Sequence, residues 1–297
     1  MNFTPKGIIT PIITPFTREG RVNEPVLRQI IDFLISGGIH GILPLGTTGE
    51  FYGVDEDDYR RILEITAEQT DGRVPVFAGA NHITTRGTVK LIKIAEKIGV
   101  DAITVLTPMF ISQTQEELYM FFKTVAESTD LPVVMYNNKP KTNVTIEPST
   151  VARLAAIDNI VGIKDSTGDF TNTAEYIRLT RHTKNFSVLI GRDTLIHAAL
   201  CYGATGAIAS CANVAPRLTA DIYDKYVEGD IAGSLEAQFK LAPLRMAFSL
   251  GSFPEVIKVS LEMQGFDVGK SLDPIAELLP EKKEELRSLL DNLGILN

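Results

Sequence analysis

Short runs of Val, Ile and Leu alternate along this chain with longer stretches in which apolar residues recur every three or four positions. The first run, at 7–13, precedes a segment at 24–36 where Leu27, Ile30, Ile31 and Leu34 fall on one helical face, so the pattern predicts a strand and then a helix. The unit returns with strands at 41–45, 74–78, 102–106, 132–136, 160–164 and 187–190, each followed by a helix, at 55–69, 85–98, 115–128, 148–156, 172–183 and 194–201. An eighth strand is predicted at 207–209. These strands are continuous apolar runs without in-out alternation, as a parallel sheet covered by helices requires. Eight such units fit a closed TIM (β/α)8 barrel better than an open doubly wound sheet.

Past residue 214 the strand signal stops, and 217–228, 231–248, 254–263 and 271–293 all carry helical periodicity. In the last, Pro280 followed by Glu281, Lys282, Lys283 and Glu284 has the character of a proline-led first turn. The expected organisation is an α/β barrel domain over 1–214 with a C-terminal helical domain over 215–297. No linker, repeat or low-complexity tract divides them.

Composition narrows the partners. With 44% hydrophobic residues among 297, the chain can fill a large core. Its net charge of -8, with no block of lysines or arginines, argues against nucleic acid or an anionic membrane as partner and for a small molecule. Cys201 and Cys211 form no C-x-x-C pair and are expected to be buried small side chains in a reducing compartment. The N-terminal segment lacks a basic stretch followed by an apolar run, and no segment is apolar over a spanning length, so a cytoplasmic location is expected. The four histidines, His40, His82, His182 and His197, show no ligand spacing, and no metal is expected.

In a barrel of this kind the C-terminal strand ends form the rim that carries the chemistry. The sixth strand runs through Gly162 and Ile163 into Lys164, then breaks into a polar loop, Asp165-Ser166-Thr167-Gly168-Asp169. Burial disfavours an ammonium relative to the free amine that attacks carbonyl carbon in Schiff-base enzymes. Two ordinary alternatives stand beside that reading: a lysine reaching out to solvent, or one paired with Asp165. The second strand ends in Gly46-Thr47-Thr48-Gly49-Glu50, whose hydroxyls and backbone N–H groups can converge on an anion such as a carboxylate. The fifth ends in Tyr136-Asn137-Asn138, placing a phenol one strand from Lys164, with the Thr48 hydroxyl as a candidate partner in a proton relay.

Taken together, Gly46 to Glu50, Tyr136-Asn137 and Gly162-Ile163-Lys164-Asp165 resemble the dihydrodipicolinate synthase / N-acetylneuraminate lyase family. The likeness extends to Gly7-Ile8-Ile9-Thr10-Pro11, Thr107-Pro108 and Gly191-Arg192-Asp193, in the same order and spacing. It implies a barrel with a helical extension, a homotetramer built from tight dimers, and a class I mechanism without metal or organic cofactor. By the same resemblance, Lys164 would condense with pyruvate or another 2-oxo acid. The loop of Gly46, Thr47 and Thr48 would hold its carboxylate, Tyr136 would shuttle protons, and backbone near Gly191 and Ile208 would line the pocket.

The chain departs from the family's synthases at two points. Met109-Phe110 stands where a second aromatic hydroxyl is lent across the dimer interface, and Lys139-Pro140-Lys141 stands where an arginine binds the second carboxylate. Lysine is a point charge without arginine's bidentate fork. Thr194 after Gly191-Arg192-Asp193 replaces the acidic residue of the sialic acid lyases. Asp193, Arg192, Ser210, Asn213, Lys139 and Lys141 would leave a polar mouth suited to a hydroxylated acid. The leading expectation is a Schiff-base lyase that makes or breaks the bond between pyruvate and an aldehyde, acting on a 2-keto-3-deoxy sugar acid or a similar 2-oxo acid. Its alternatives are a synthase condensing pyruvate with aspartate semialdehyde, a 2-keto-3-deoxy-acid dehydratase, and a non-catalytic 2-oxo-acid-binding protein.

Overall fold

The computed structural model describes residues 3–296. Its eight strands are β1 (Gly7–Thr10), β2 (Gly41–Ile42), β3 (Phe77–Gly79), β4 (Ala102–Leu106), β5 (Val133–Asn137), β6 (Ile160–Asp165), β7 (Ser187–Ile190) and β8 (Gly206–Ile208). All ladders are parallel and β8 pairs back onto β1. A single parallel bridge from Ile42 to Val76 brings β2 to the segment entering β3 and closes the cylinder. This is the expected TIM barrel.

The helices around it are α1 (Glu24–Ser36), α2 (Glu56–Thr70), α3 (Thr85–Ile98), α4 (Gln115–Glu127), α5 (Lys139–Thr142), α6 (Pro148–Leu154), α7 (Phe170–Thr180), α8 (Ile196–Tyr202) and α9 (Pro216–Val227). Beyond them lie α10 (Ile231–Ala247), α11 (Glu255–Met263) and α12 (Pro280–Asn292). Because α9 packs on β1 and α8, the outer ring of helices runs past residue 214. Among the described residues, no helix is long and apolar enough to cross a membrane.

Two apolar layers result from strand parity. Outward side chains join the helices in the main core, while Ile9, Leu43, Phe77, Ala102, Val134, Val161, Leu189 and Ile208 fill the barrel interior. Phe3 closes the lower end, its ring 5.6 Å from that of Phe77. Strand ends follow proline, which lacks the ladder N–H. Pro11 stops β1 at Thr10, short of the expected residue 13, and β3 begins only after Pro75.

Two expectations are corrected, and one short helix is added. Residues 271–279 are not helical. Pro274 interrupts them, and the backbone N–H groups of Ser271 and Leu272 are used instead to hold the carboxylates of Glu255 and Glu50, at 3.1 and 2.7 Å. The short helix α5 went unseen because four residues carry no periodicity. Cys211 is buried as expected, but Cys201 is exposed.

Glu50, the last residue of the Gly46-Thr47-Thr48-Gly49-Glu50 loop, turns away from the rim. It is fully buried and pairs at 2.6 Å with Lys258 of α11, itself 1% exposed. Lys258 also donates to the Lys270 carbonyl at 3.1 Å and lies 4.4 Å over the Phe16 ring. Burial holds the Lys258 ammonium below its ordinary range against the opposing pull of Glu50. This ion pair fastens the helical extension to the underside of the rim loop. Lys258→Met, which leaves the carboxylate buried and unpaired, is expected to cost about 3–5 kcal/mol, with Glu50→Gln added in the same chain recovering part of the loss. Urea unfolding of the two variants checks this, and a single-variant loss below about 1 kcal/mol would count against the anchor.

Candidate active site

The rim residues sit one alternation above the inner apolar layer. Val134 precedes Tyr136 by two, Leu189 precedes Gly191 and Ile208 precedes Ser210, so strand parity turns these upper positions inward, and Lys164 joins them because β6 is in step with β5 above the irregularity at Val161. Tyr136 and Lys164 are register partners on β5 and β6. The Lys164 Nζ lies 4.1 Å from the centroid of the Tyr136 ring, and the two side chains are 5% and 4% exposed. The lysine therefore does not reach into solvent. Nor is it paired with Asp165, whose carboxylate accepts from Asn137, Thr167, Asn172 and Thr173 at 2.6–3.3 Å. Among the described residues no carboxylate lies within ion-pair distance of Lys164.

Gly191 makes room for the amine. A Cβ there would collide with Ser166 Oγ and stand 3.0 Å from Lys164 Cε and 3.1 Å from the Asp165 carbonyl. The Gly191 N–H donates to that carbonyl at 2.7 Å, which fixes the β7 end against the β6 end.

The phenol is surrounded by polar groups. Asn138 Nδ2 donates to its oxygen at 2.7 Å. Burial opposes its ionisation, but the Lys164 charge and the groups of Thr47, Ser166 and Asn138 outweigh burial, and the Tyr136 pKa falls below its ordinary value. The Thr47 hydroxyl is buried beside the phenol and makes no hydrogen bond of normal geometry, so its proton is free for a ligand carboxylate. Thr48, the relay partner expected from sequence, turns instead toward the β8 loop and meets Ser210 Oγ at 3.3 Å. Adjacent residues of a tight turn point apart, and Thr47 is the one that reaches the phenol.

These groups line a pocket of about 270 Å³ that contains Thr47, Thr48, Tyr136, Lys141, Lys164, Gly191, Asp193 and Ser210, all of them anticipated. Gly46 and Ile208 are not on its wall. Gly46 lies behind the loop, where it accepts from the Gly49 N–H at 3.1 Å, and Ile208 belongs to the apolar layer beneath Ser210. Asp193 is on the wall, but its carboxylate accepts from the Cys211 N–H at 2.7 Å and pairs with Arg245 at 3.4 Å. Asn213 braces the loops, taking the Ile13 N–H at 3.1 Å and donating to the Pro11 carbonyl at 2.9 Å. A roomier cleft of about 620 Å³ beside Phe16 and Glu255 shares no residue with this pocket and lacks its juxtaposed amine and phenol.

Ser166, Asn138 and Arg245 were missed. The first two could have been found from position: Ser166 follows the Lys164-Asp165 pair on the same rim, and Asn138 lies one alternation beyond Tyr136. Arg245, with Phe248 and Ser249, comes from the helical extension, and no local pattern announces it.

A family model described as the dihydrodipicolinate synthetase family matches residues 4–293. The chain belongs to this family. A relative named 4-hydroxy-tetrahydrodipicolinate synthase, from Methanothrix thermoacetophila, is 36% identical over 291 residues, 98% of each chain. One of the same name from Methanopyrus kandleri is 35% identical over 298 residues, covering 100% of this chain and 99% of the relative. Among solved structures, dihydrodipicolinate synthase from Thermotoga maritima superposes with a TM-score of 0.96 at 33% identity, over 99% of this chain and all of that one. YagE of Escherichia coli K12, a prophage protein of the same family in complex with pyruvate, gives 0.94 at 31% identity over the same shares. Membership makes the chain a lyase of the class I aldolase type.

The lowered pKa of Tyr136 has a direct optical consequence. Its tyrosinate absorbance is expected to emerge at lower pH than that of an ordinary phenol, near about 10, and Tyr136→Phe should remove that early component. Ultraviolet difference titration of the two proteins decides it, and superimposable curves would mean that Lys164 does not act on the phenol.

Proposed function

We propose that the protein joins pyruvate to an aldehyde through an imine on Lys164, in the manner of 4-hydroxy-tetrahydrodipicolinate synthase. The observation that carries this reading is the Lys164 amine, buried, without a carboxylate partner among the described residues, and 4.1 Å over the ring of a phenol with lowered pKa. The amine adds to the ketone carbon of pyruvate, and the carbinolamine hydroxyl leaves as water with a proton from Tyr136. The imine withdraws electrons from the adjacent methyl group, which passes a proton to the Tyr136 oxygen to give the enamine. That carbon then attacks the aldehyde, whose oxygen takes the proton back from Tyr136 as the new carbon–carbon bond forms. Water adds to the imine and returns the free amine. Throughout, the pyruvate carboxylate rests on the Thr47 and Thr48 loop, where the unpartnered Thr47 hydroxyl supplies one donor.

The synthase names of the curated relatives support the condensing direction. A second reading, cleavage of a 2-keto-3-deoxy sugar acid, draws on Phe110 and on Lys139-Pro140-Lys141 in place of the synthases' hydroxyl and arginine. We further propose, on the family likeness alone, a cytoplasmic homotetramer.

Borohydride reduction in the presence of pyruvate, followed by mass spectrometry, is expected to add one reduced pyruvate to Lys164 in the wild type and none in Lys164→Ala. An unmodified wild-type lysine would overturn the imine. Gly191→Ala crowds the same amine, and the trapping rate should fall by roughly 10²-fold, as for a reacting group displaced by about 1 Å. An undiminished rate would show that this wall does not set the amine's position.

A further inference from the structure

Thr47, Ser166 and Asn138 stand beside the Tyr136 oxygen, and they differ in what they can do with a proton. The two hydroxyls can donate or accept, whereas an amide nitrogen only donates. Asn138 Nδ2, 2.7 Å from the oxygen, therefore occupies one of its lone pairs and leaves the phenol's own proton to the hydroxyl and ligand side. Such a bond strengthens as its acceptor takes on negative charge, the more so away from water, and both side chains are buried.

The amide is also fixed. Strand parity puts residue 138 on the same face as 136, and α5 follows at once. The turn that opens this helix holds the residue, because the Asn138 carbonyl accepts the Lys141 and Thr142 N–H groups at 2.9 and 3.0 Å. From β6, the Lys164 Nζ lies 4.1 Å over the ring, and its charge also favours the ionised oxygen. The other charges on the pocket wall are Lys141, Arg192, Asp193 and Arg245, of which Asp193 and Arg245 pair with each other.

We propose that Asn138 is a positioning residue that holds the Tyr136 oxygen, as phenolate, ready to take the proton from the methyl group of the pyruvate imine. The phenol reaches that state when it gives its proton to the departing carbinolamine hydroxyl. In the next step the C–H bond breaks and an O–H bond forms, the C–H electrons become the enamine double bond, and the iminium π pair returns to nitrogen. A phenolate and an iminium thus become a phenol and a neutral enamine. The amide acts on the first of these states, where it raises the ionised share of the phenol near neutral pH at some cost in basicity. The assignment rests on the imine reading above and adds to it a group that works through the phenol.

Exchange of the pyruvate methyl hydrogens in deuterium oxide, followed by proton NMR with no aldehyde present, reads this step, and borohydride trapping runs beside it. Asn138→Leu should still yield the pyruvate adduct. Its exchange near neutral pH should fall roughly 3- to 10-fold, with the midpoint of the rate–pH profile moved up by about one to two units. Above both midpoints it should match or exceed the wild type, because its phenolate is the stronger base. Asn138→Asp sets an anion beside the phenol and should move the midpoint further up, while Asn138→Gln, which keeps an amide donor, should recover part of the loss. Added to Tyr136→Phe, Asn138→Leu should change nothing more.

An unmoved profile overturns the proposal, and so does one moved to lower pH, which would mean that the amide presents its oxygen. Loss of the adduct in Asn138→Leu, a further loss on top of Tyr136→Phe, or a wild type that traps pyruvate without exchanging its methyl hydrogens overturns it as well. Failure of the wild type to form any pyruvate adduct is a separate result, and it removes the imine reading together with the proposal that rests on it.

Discussion

The register between β5 and β6 is the constraint on which the site depends. Ile160 pairs with Val133 and Gly162 with Val134, so Val161 is an extra residue in β6, and above it the strands run in step until Tyr136 faces Lys164. Strand side chains alternate, so a slip of one residue would send Lys164 into the helix-facing core and Ile163 into the pocket. The bulge thus decides which side of the wall holds the amine. Glycine at 162 and 191 then keeps the neighbouring strands close without filling the space that the lysine side chain occupies.

Around that register the chain separates reacting groups from supporting ones. Asp165, next to the lysine in sequence, is saturated by donors and holds the start of the β6 loop. Asn137, next to the phenol, bonds Asp165 and Tyr176 and accepts from the Ile146 N–H. In each case the residue pointing inward faces the pocket and its neighbour pointing outward ties the strand end to the helices. Rigid strand ends carrying locked side chains are what a positioned amine and phenol require.

Much of this was legible in the sequence, for identifiable reasons. The bounds of α1, α3, β4 and β7 are those the periodicity predicts, because their apolar spacing is unbroken and their ends are marked by Gly, Pro or a capping Thr such as Thr84. Lys164, Tyr136, Gly191 and Ser210 were legible because strand parity and the rim rule act together. The eighth strand runs one residue earlier than the 207–209 expected from its apolar run, since a glycine opens it. The division of labour between Thr47 and Thr48 was not legible, since a tight turn has no period from which to read direction. Arg245 was out of reach for another reason: its place depends on how a helix 35 residues past Ser210 folds back over the barrel mouth.

The buried pairing of Glu50 with Lys258 bears on how the rim loop can welcome a negatively charged guest. A carboxylate three residues from Thr47 would ordinarily repel such a guest, yet here its charge is cancelled from below by an ammonium lent from a remote helix. The loop gains an anchor and stays electrically quiet on its open side. Its hydroxyls and amide hydrogens are left to set the local potential.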